Sequence, residues 1–144
     1  MNNVITKRNF DVSVELLYRA WTEPNHLKNW WGPDGFTNTF FEFDLTEGGY
    51  WRFTMHSPDG KDYENESRFV TIIKNKKIIF NHISPPKFRT EVNFKAIAEN
   101  SSSLHWEMIF DEEKVYIALK NFITEKNEEN LNRLERELEK IKPT

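Results

Sequence analysis

From Gly32-Pro33 to about Ile109 the apolar residues of this chain recur at every second position, and a helical stripe follows. A period of two sends alternate side chains to opposite faces of a strand, so successive segments of this kind describe a sheet with one dry and one wet face. Phe41, Phe43 and Leu45 alternate with Glu42 and Asp44. Gly48-Gly49 then supplies a tight turn or bulge; Glu42 and Asp44 read as a solvated outer face, with a bond from Asp44 to that turn as the alternative. Trp51, Phe53 and Met55 alternate with Arg52 and Thr54, up to a turn at Pro58-Asp59-Gly60. Tyr63 to Ile73 and Ile78 to His82 read as the next strands, joined across Asn75-Lys76, after which Pro85-Pro86 interrupts pairing. Thr90, Val92, Phe94 and Ala96 face one way and Glu91, Asn93 and Lys95 the other. Asn100-Ser101-Ser102 turns the chain into Leu104, Trp106, Met108 and Phe110, which alternate with His105 and Glu107.

A sheet with one dry face needs a cover. Leu131, Leu134, Leu138 and Ile141 form a helical stripe free of Gly and Pro. Val115, Leu119 and Phe122 mark helix upstream of it. Between them, Thr124 to Glu129 has no apolar stripe, so either the helix breaks there or its inner face turns polar. Ahead of the sheet, Val4 to Phe10 reads as a strand. Ser13 reads as the N-cap of a helix carrying Val14, Leu17, Tyr18 and Trp21. Thr22 caps a second short helix with Pro24 in its first turn, and Gly32-Pro33 ends it. With no repeat and no linker, the expectation is one α+β domain over residues 1–144.

Composition bounds the function. Apolar residues are only 38% of the chain but aromatics are 15%, with 12 Phe and 5 Trp, so the core is built from a few large rings that interlock less easily than branched aliphatics. A net charge of -3 gives no field favouring nucleic acid or anionic lipid, so neither is expected as a partner. The absence of cysteine excludes disulfides, thiol catalysis and thiolate metal sites. No apolar run approaches a membrane span and the N-terminus has no apolar leader core, which together predict a cytoplasmic protein.

Two blocks carry a family resemblance. One is Trp21-Thr22-Glu23-Pro24-Asn25-His26-Leu27-Lys28-Asn29-Trp30-Trp31-Gly32-Pro33, and the other runs from Asp44-Leu45-Thr46-Glu47-Gly48-Gly49-Tyr50-Trp51-Arg52-Phe53 to Pro58-Asp59-Gly60. Together they resemble the bacterial relatives of the C-terminal domain of the activator of the heat-shock-protein-90 ATPase, in the START-like (SRPBCC) superfamily. Lys77-Ile78-Ile79-Phe80 and the stretch from Leu104 to Phe110 fit the same pattern, as does Leu131-Asn132-Arg133-Leu134. The resemblance implies a helix-grip (Bet v 1-like) fold, in which a curved antiparallel sheet wraps a long C-terminal helix and two short helices follow the first strand. It implies an apolar or amphipathic small molecule between sheet and helix. Relatives often carry Gly-Trp before the Leu-x-x-Leu stripe where this chain has Lys126-Asn127, so a large ring is missing from the helix face toward the cavity.

The expected cavity lining follows from strand phase. It takes Phe41 and Phe43, then Trp51, Phe53 and Met55, then Phe80 and His82, then Val92 and Phe94, then Trp106 and Met108, with Phe122 or Asn127 closing it. Adjacent positions on a helix point about 100° apart, so one of Trp30 and Trp31 packs inward and the other lies near the mouth. His26, His56, His82 and His105 have no metal-ligand spacing, and no nucleophile motif, phosphate loop or dinucleotide fingerprint is present. No catalytic residue, metal or cofactor is therefore nominated, and His82 is the one inward acid or base candidate. The leading expectation is a binding module for an apolar or aromatic ligand. The second is a modulator of a chaperone ATPase, although the chain reads as that family's domain without its separate N-terminal chaperone-binding domain. The third is a cyclase- or dehydratase-type enzyme. Along Glu125 to Lys142 the charges read as a solvated face, with Glu129 and Arg133 paired for a few tenths of a kcal/mol.

Overall fold

The computed structural model describes residues 2–143, so the two end residues of the expected domain lie outside it. Strand β1 (Asn3–Phe10) leads into helices α1 (Val14–Thr22) and α2 (Pro24–Trp30). Six strands follow: β2 (Thr37–Phe43), β3 (Tyr50–His56), β4 (Asp62–Ile73), β5 (Lys77–His82), β6 (Phe88–Ala98) and β7 (Ser101–Phe110). Helix α3 (Glu113–Ile141) closes the chain. The sheet order is β1-β7-β6-β5-β4-β3-β2, antiparallel throughout, so β2 to β7 form a meander and β1 returns to pair with the last strand. This is the helix-grip architecture.

Alternation is clearest on β7, where Ser102, Leu104, Trp106, Met108 and Phe110 are buried and every intervening residue is half-buried. Trp51 and Phe53 are likewise inside, Arg52 and Glu107 are half-buried, and Asp44 is exposed. Ser13 caps α1 by accepting from the Leu16 N–H at 3.1 Å. Thr22, expected to cap α2, is instead the last residue of α1, and its hydroxyl donates to the Tyr18 carbonyl. Glu23 holds the cap position, because the residue before a proline is driven out of the helical region.

A second correction concerns β2. Phe40 pairs with Phe53 and Glu42 with Arg52, so Phe41 is the extra residue of a β-bulge and is 70% exposed. Phe40 takes the inward place and stacks on Phe43 with centroids 6.0 Å apart. The bulge shifts the phase that simple alternation carries through Phe41. Nor does Asp44 bond the glycine turn. Its carboxylate accepts from the Thr46 hydroxyl, and its carbonyl oxygen lies 2.2 Å from where a Cβ on Gly49 would stand. Ala96 is exposed, although its cross-strand partner Ser102 is buried and donates to the Val12 carbonyl; a register irregularity follows between Ala96 and Ala98.

Helix α3 is one helix. It does not break at Thr124 to Glu129. The Thr124 hydroxyl folds back on the Lys120 carbonyl, and the inner face turns polar, with Asn127 and Asn130 buried. Its buried residues all lie from Asn127 onward, and Leu131, Leu134 and Leu138 sit against the core.

Candidate functional site

Beneath the junction of the two halves of α3 lies a cavity of about 240 Å³. Its floor is the inner face of the sheet, with Trp51, Phe53 and Met55 from β3, Asn65 and Ser67 from β4, and Phe80 and His82 from β5. Phe88 and Thr90 on β6 and Trp106 and Met108 on β7 complete that floor. Ile123, Lys126, Asn127 and Asn130 cover it from α3, while Trp31, Gly32 and Pro33 enter from the loop after α2. A wider depression of about 460 Å³, lined by Asn9, Asp11, Glu135, Arg136 and their neighbours, is a charged surface feature rather than a ring-walled one.

Of the residues expected at the cavity, Trp31, Trp51, Phe53, Met55, Phe80, His82, Trp106, Met108 and Asn127 are brought together there. The others lie elsewhere, for separate reasons. Phe41 is turned out by the bulge, and Phe43 packs edge-on to Trp51 and Phe69 beyond the cavity. Val92 and Phe94 are buried further along the sheet, where Phe94 meets Tyr18 and Trp21 edge-on. Phe122 is 59% exposed under the Lys126 ammonium, and Ile123 takes the inward position beside it. Trp30 is fully buried, and its indole N–H donates to the Ala20 carbonyl at 2.9 Å.

Sequence reading missed the clasp that holds the Trp31 loop. The Arg133 guanidinium donates to the carbonyls of Trp31, Gly32, Pro33, Asn29 and Phe36 at 2.8–3.2 Å. Asn130 donates to the Trp30 carbonyl and accepts from the Gly32 N–H, and Glu129 accepts from the Asp34 N–H. Glu129 pairs with Lys126 at 3.2 Å, not with Arg133 as helix spacing suggested. Burial draws the Arg133 pKa down from its ordinary value, nearby Asp34 opposes the shift, and Arg136 adds to it. Carbonyl groups at the end of α2 supply the negative end of its dipoles, which suits a cation there. A signal was present in the sequence: an Arg one residue before Leu134 on a helix facing a Gly-Pro loop. Its partners are backbone atoms, which no side-chain pattern reveals.

His82 is 8% exposed and ring-stacked on Phe88 at 4.5 Å. Nδ1 lies 2.8 Å from the Pro86 carbonyl oxygen and Nε2 2.8 Å from Asn65 Oδ1. Acceptors at both ring nitrogens favour a second proton. Burial opposes it and prevails, so the pKa falls below its ordinary value despite the contacts with Pro86 and Ser84. The imidazole is neutral near pH 7 and pins β5 to the loop carrying Pro86. Among the described residues, no group of His, Cys, Asp and Glu is arranged to hold a metal, and no helix is long and apolar enough to cross a membrane.

Fold and site together define a helix-grip protein with a ring-walled, partly open pocket between sheet and helix. The chain belongs to the Activator of Hsp90 ATPase homolog 1-like protein family, whose model matches residues 11–139. Among solved structures it is similar to a protein from Nitrosomonas europaea at 20% identity and a TM-score of 0.87, covering 96% of this chain and 94% of that one. A protein named for the same family, from Silicibacter pomeroyi, matches at 17% identity and a TM-score of 0.78, covering 94% and 96%. DynU16, described as a putative protein in the dynemicin biosynthetic locus, matches at 14% identity and a TM-score of 0.76, covering 99% of this chain and 49% of that one. At these identities the likeness is one of fold. No curated protein matches the chain.

Proposed function

We propose that this protein is a small-molecule binding module that holds an apolar or aromatic ligand between the sheet and α3. The observation that carries the reading is the cavity itself, walled by Trp31, Trp51, Phe53, Phe80 and Trp106 with a few polar groups among them. That mixture is the usual character of a small-molecule site. A dry, apolar cavity of roughly 150 Å³ takes up benzene, so about 240 Å³ suits one to two rings. Asn127 in place of a large side chain helps to keep the space open. Modulation of a chaperone ATPase rests on the family's description and stands second. The cyclase or dehydratase reading needs an inward group free to move a proton, and His82 is engaged at both ring nitrogens.

The test is native mass spectrometry of protein purified from its host, joined to titration with an apolar fluorophore. A small-molecule adduct lost on denaturation is expected, and fluorophore binding should shift tryptophan emission. Phe80→Trp and Asn127→Trp should fill the space and abolish binding with the far-ultraviolet circular dichroism unchanged. Neither adduct nor fluorophore binding in the folded protein would refute the reading.

A further inference from the structure

On the face of the sheet turned away from the cavity, a hydroxyl, an imidazole and a carboxylate are joined in sequence. Phe53 and Met55 line the cavity, so Thr54 and His56, out of phase with them on β3, belong to the opposite face. His56 is paired directly with Asp62 across β3 and β4, and its Nδ1 lies 2.7 Å from Asp62 Oδ1. On its other flank, Nε2 lies 2.8 Å from Oγ1 of Thr39, on edge strand β2. An ionised carboxylate only accepts, so the Asp62 contact calls for the proton on Nδ1. The Nε2 lone pair of the neutral ring is then left for the Thr39 hydroxyl proton. This is the order of nucleophile, base and orienting acid, which is recognised by geometry and not by chain position. Thr39 and Asp62 are exposed and His56 is half-buried, so a substrate reaches the hydroxyl from solvent.

The surroundings narrow the substrate. Thr39 is paired directly with Thr54, and Thr54 lines an open groove of about 400 Å³ with Phe41, Arg52, Glu64 and Glu66. The bulge that turns Phe41 out of the core therefore sets an exposed ring in the groove next to Thr39, where an apolar group can rest. Arg52 is held by Glu42 and Glu66, and Glu64 and Asp62 add further negative charge, so an anionic substrate is repelled. β2 has a strand neighbour on one side only. The unpaired amide N–H groups of such an edge are the type of donor that stabilises an oxyanion. We infer that Thr39, His56 and Asp62 form an acyl-transfer site for small neutral carboxylic esters, independent of the cavity. Thr39 Oγ1 attacks the ester carbonyl carbon while His56 Nε2 takes the hydroxyl proton. Collapse of the tetrahedral adduct breaks the ester C–O bond, and the leaving alkoxide takes that proton from His56. Water, giving its proton to His56, then attacks the acyl-threonine; the carboxylic acid leaves and the proton returns to Thr39 Oγ1. Asp62 is a positioning residue that holds the ring.

The experiment follows nitrophenol release from 4-nitrophenyl butyrate by the full chain, with peptide mass mapping of protein quenched during turnover. A butyryl group on Thr39 is expected, with a rate about a hundredfold above that of Thr39→Val and of His56→Gln. Valine matches threonine in shape, and circular dichroism checks that each variant is folded. Thr39→Ser should keep the activity and His105→Gln should leave it unchanged. Asp62→Asn should lower kcat with KM unmoved, which a loss of strand pairing alone would not do. The monoester of succinate with 4-nitrophenol, an anionic analogue, should react more slowly than the butyrate. A Thr39→Val rate equal to the parent's would reduce His56 to a free imidazole and overturn the inference. So would butyryl groups found on lysine or histidine and never on Thr39, or a faster reaction with the succinate. The adduct on the parent chain is read without any substitution, so the test stands even where a variant fails to fold.

Discussion

Replacing Arg133 by methionine tests whether the α3 clasp, rather than apolar packing alone, fixes the Trp31 loop. The substitution keeps most of the aliphatic stem and removes the guanidinium. Nη1 reaches three carbonyls and Nη2 two, so five acceptors share the four N–H groups of the two terminal nitrogens. A hydrogen bond to a charged group contributes about 1.5–3 kcal/mol, but the contacts are shared and the side chain is half-buried, so water replaces part of them. A total near 3 kcal/mol follows, against the few tenths expected of a surface helix pair. With a urea m-value of about 2 kcal/mol/M, the midpoint should fall by roughly 1.5 M. Arg133→Lys should recover less than half of the loss, because one ammonium cannot span carbonyls from Asn29 to Phe36. Trp31 emission should shift to the red in the methionine variant before global unfolding. A loss below about 1 kcal/mol, or full rescue by lysine, would refute the reasoning.

Four further outcomes are expected. Leu134→Ala should lower stability by about 2–5 kcal/mol in urea melts, while Lys140→Ala, on the exposed side of α3, should stay within about 0.5 kcal/mol. Gly49→Ala should cost about 1–3 kcal/mol, because its Cβ would meet the Asp44 carbonyl oxygen at 2.2 Å and backbone must move; a neutral result would mean the turn relaxes freely. Phe41→Ser should leave the urea midpoint almost unchanged, and a large loss would place Phe41 back in the core. His82 has a folded pKa below its unfolded value, so the unfolded chain binds the extra proton. Its contribution is complete above about pH 6.5 and is lost as pH falls from there through the folded value. Melts of His82→Gln at pH 5 and 7.5 should show a weaker dependence than the parent.

Much of the architecture was legible because the sheet is covered on one side only. Trp51, Phe53, Trp106 and Met108 had to alternate with polar neighbours, and the leucine stripe of α3 had to face them. The failures have separate causes. At Phe41 an inserted residue changed the phase without changing composition, and either Phe40 or Phe41 satisfies a run of aromatics equally well. At Phe122 an error of one residue along a helix, about 100°, separates solvent from the cavity side, where Ile123 lies. The Arg133 clasp was invisible because its partners are backbone carbonyls. The Thr39–His56–Asp62 row needed the register of three strands, which no single strand's pattern contains.

The uneven burial of α3 has a kinetic consequence. From Glu113 to Lys126 none of its residues is fully buried, whereas Leu131, Leu134 and Leu138 are locked into the core. Segments with few buried contacts open with free energies well below that of global unfolding. The first half of the helix should therefore unwind as a separate unit while the second half holds the sheet. Amide hydrogen exchange would then fall into two tiers divided near Asn127, and the faster tier would set the rate at which a guest enters and leaves. Residence time would be tuned by helix propensity at exposed positions such as Ala118 and Asn121, with no change to any residue that touches the guest.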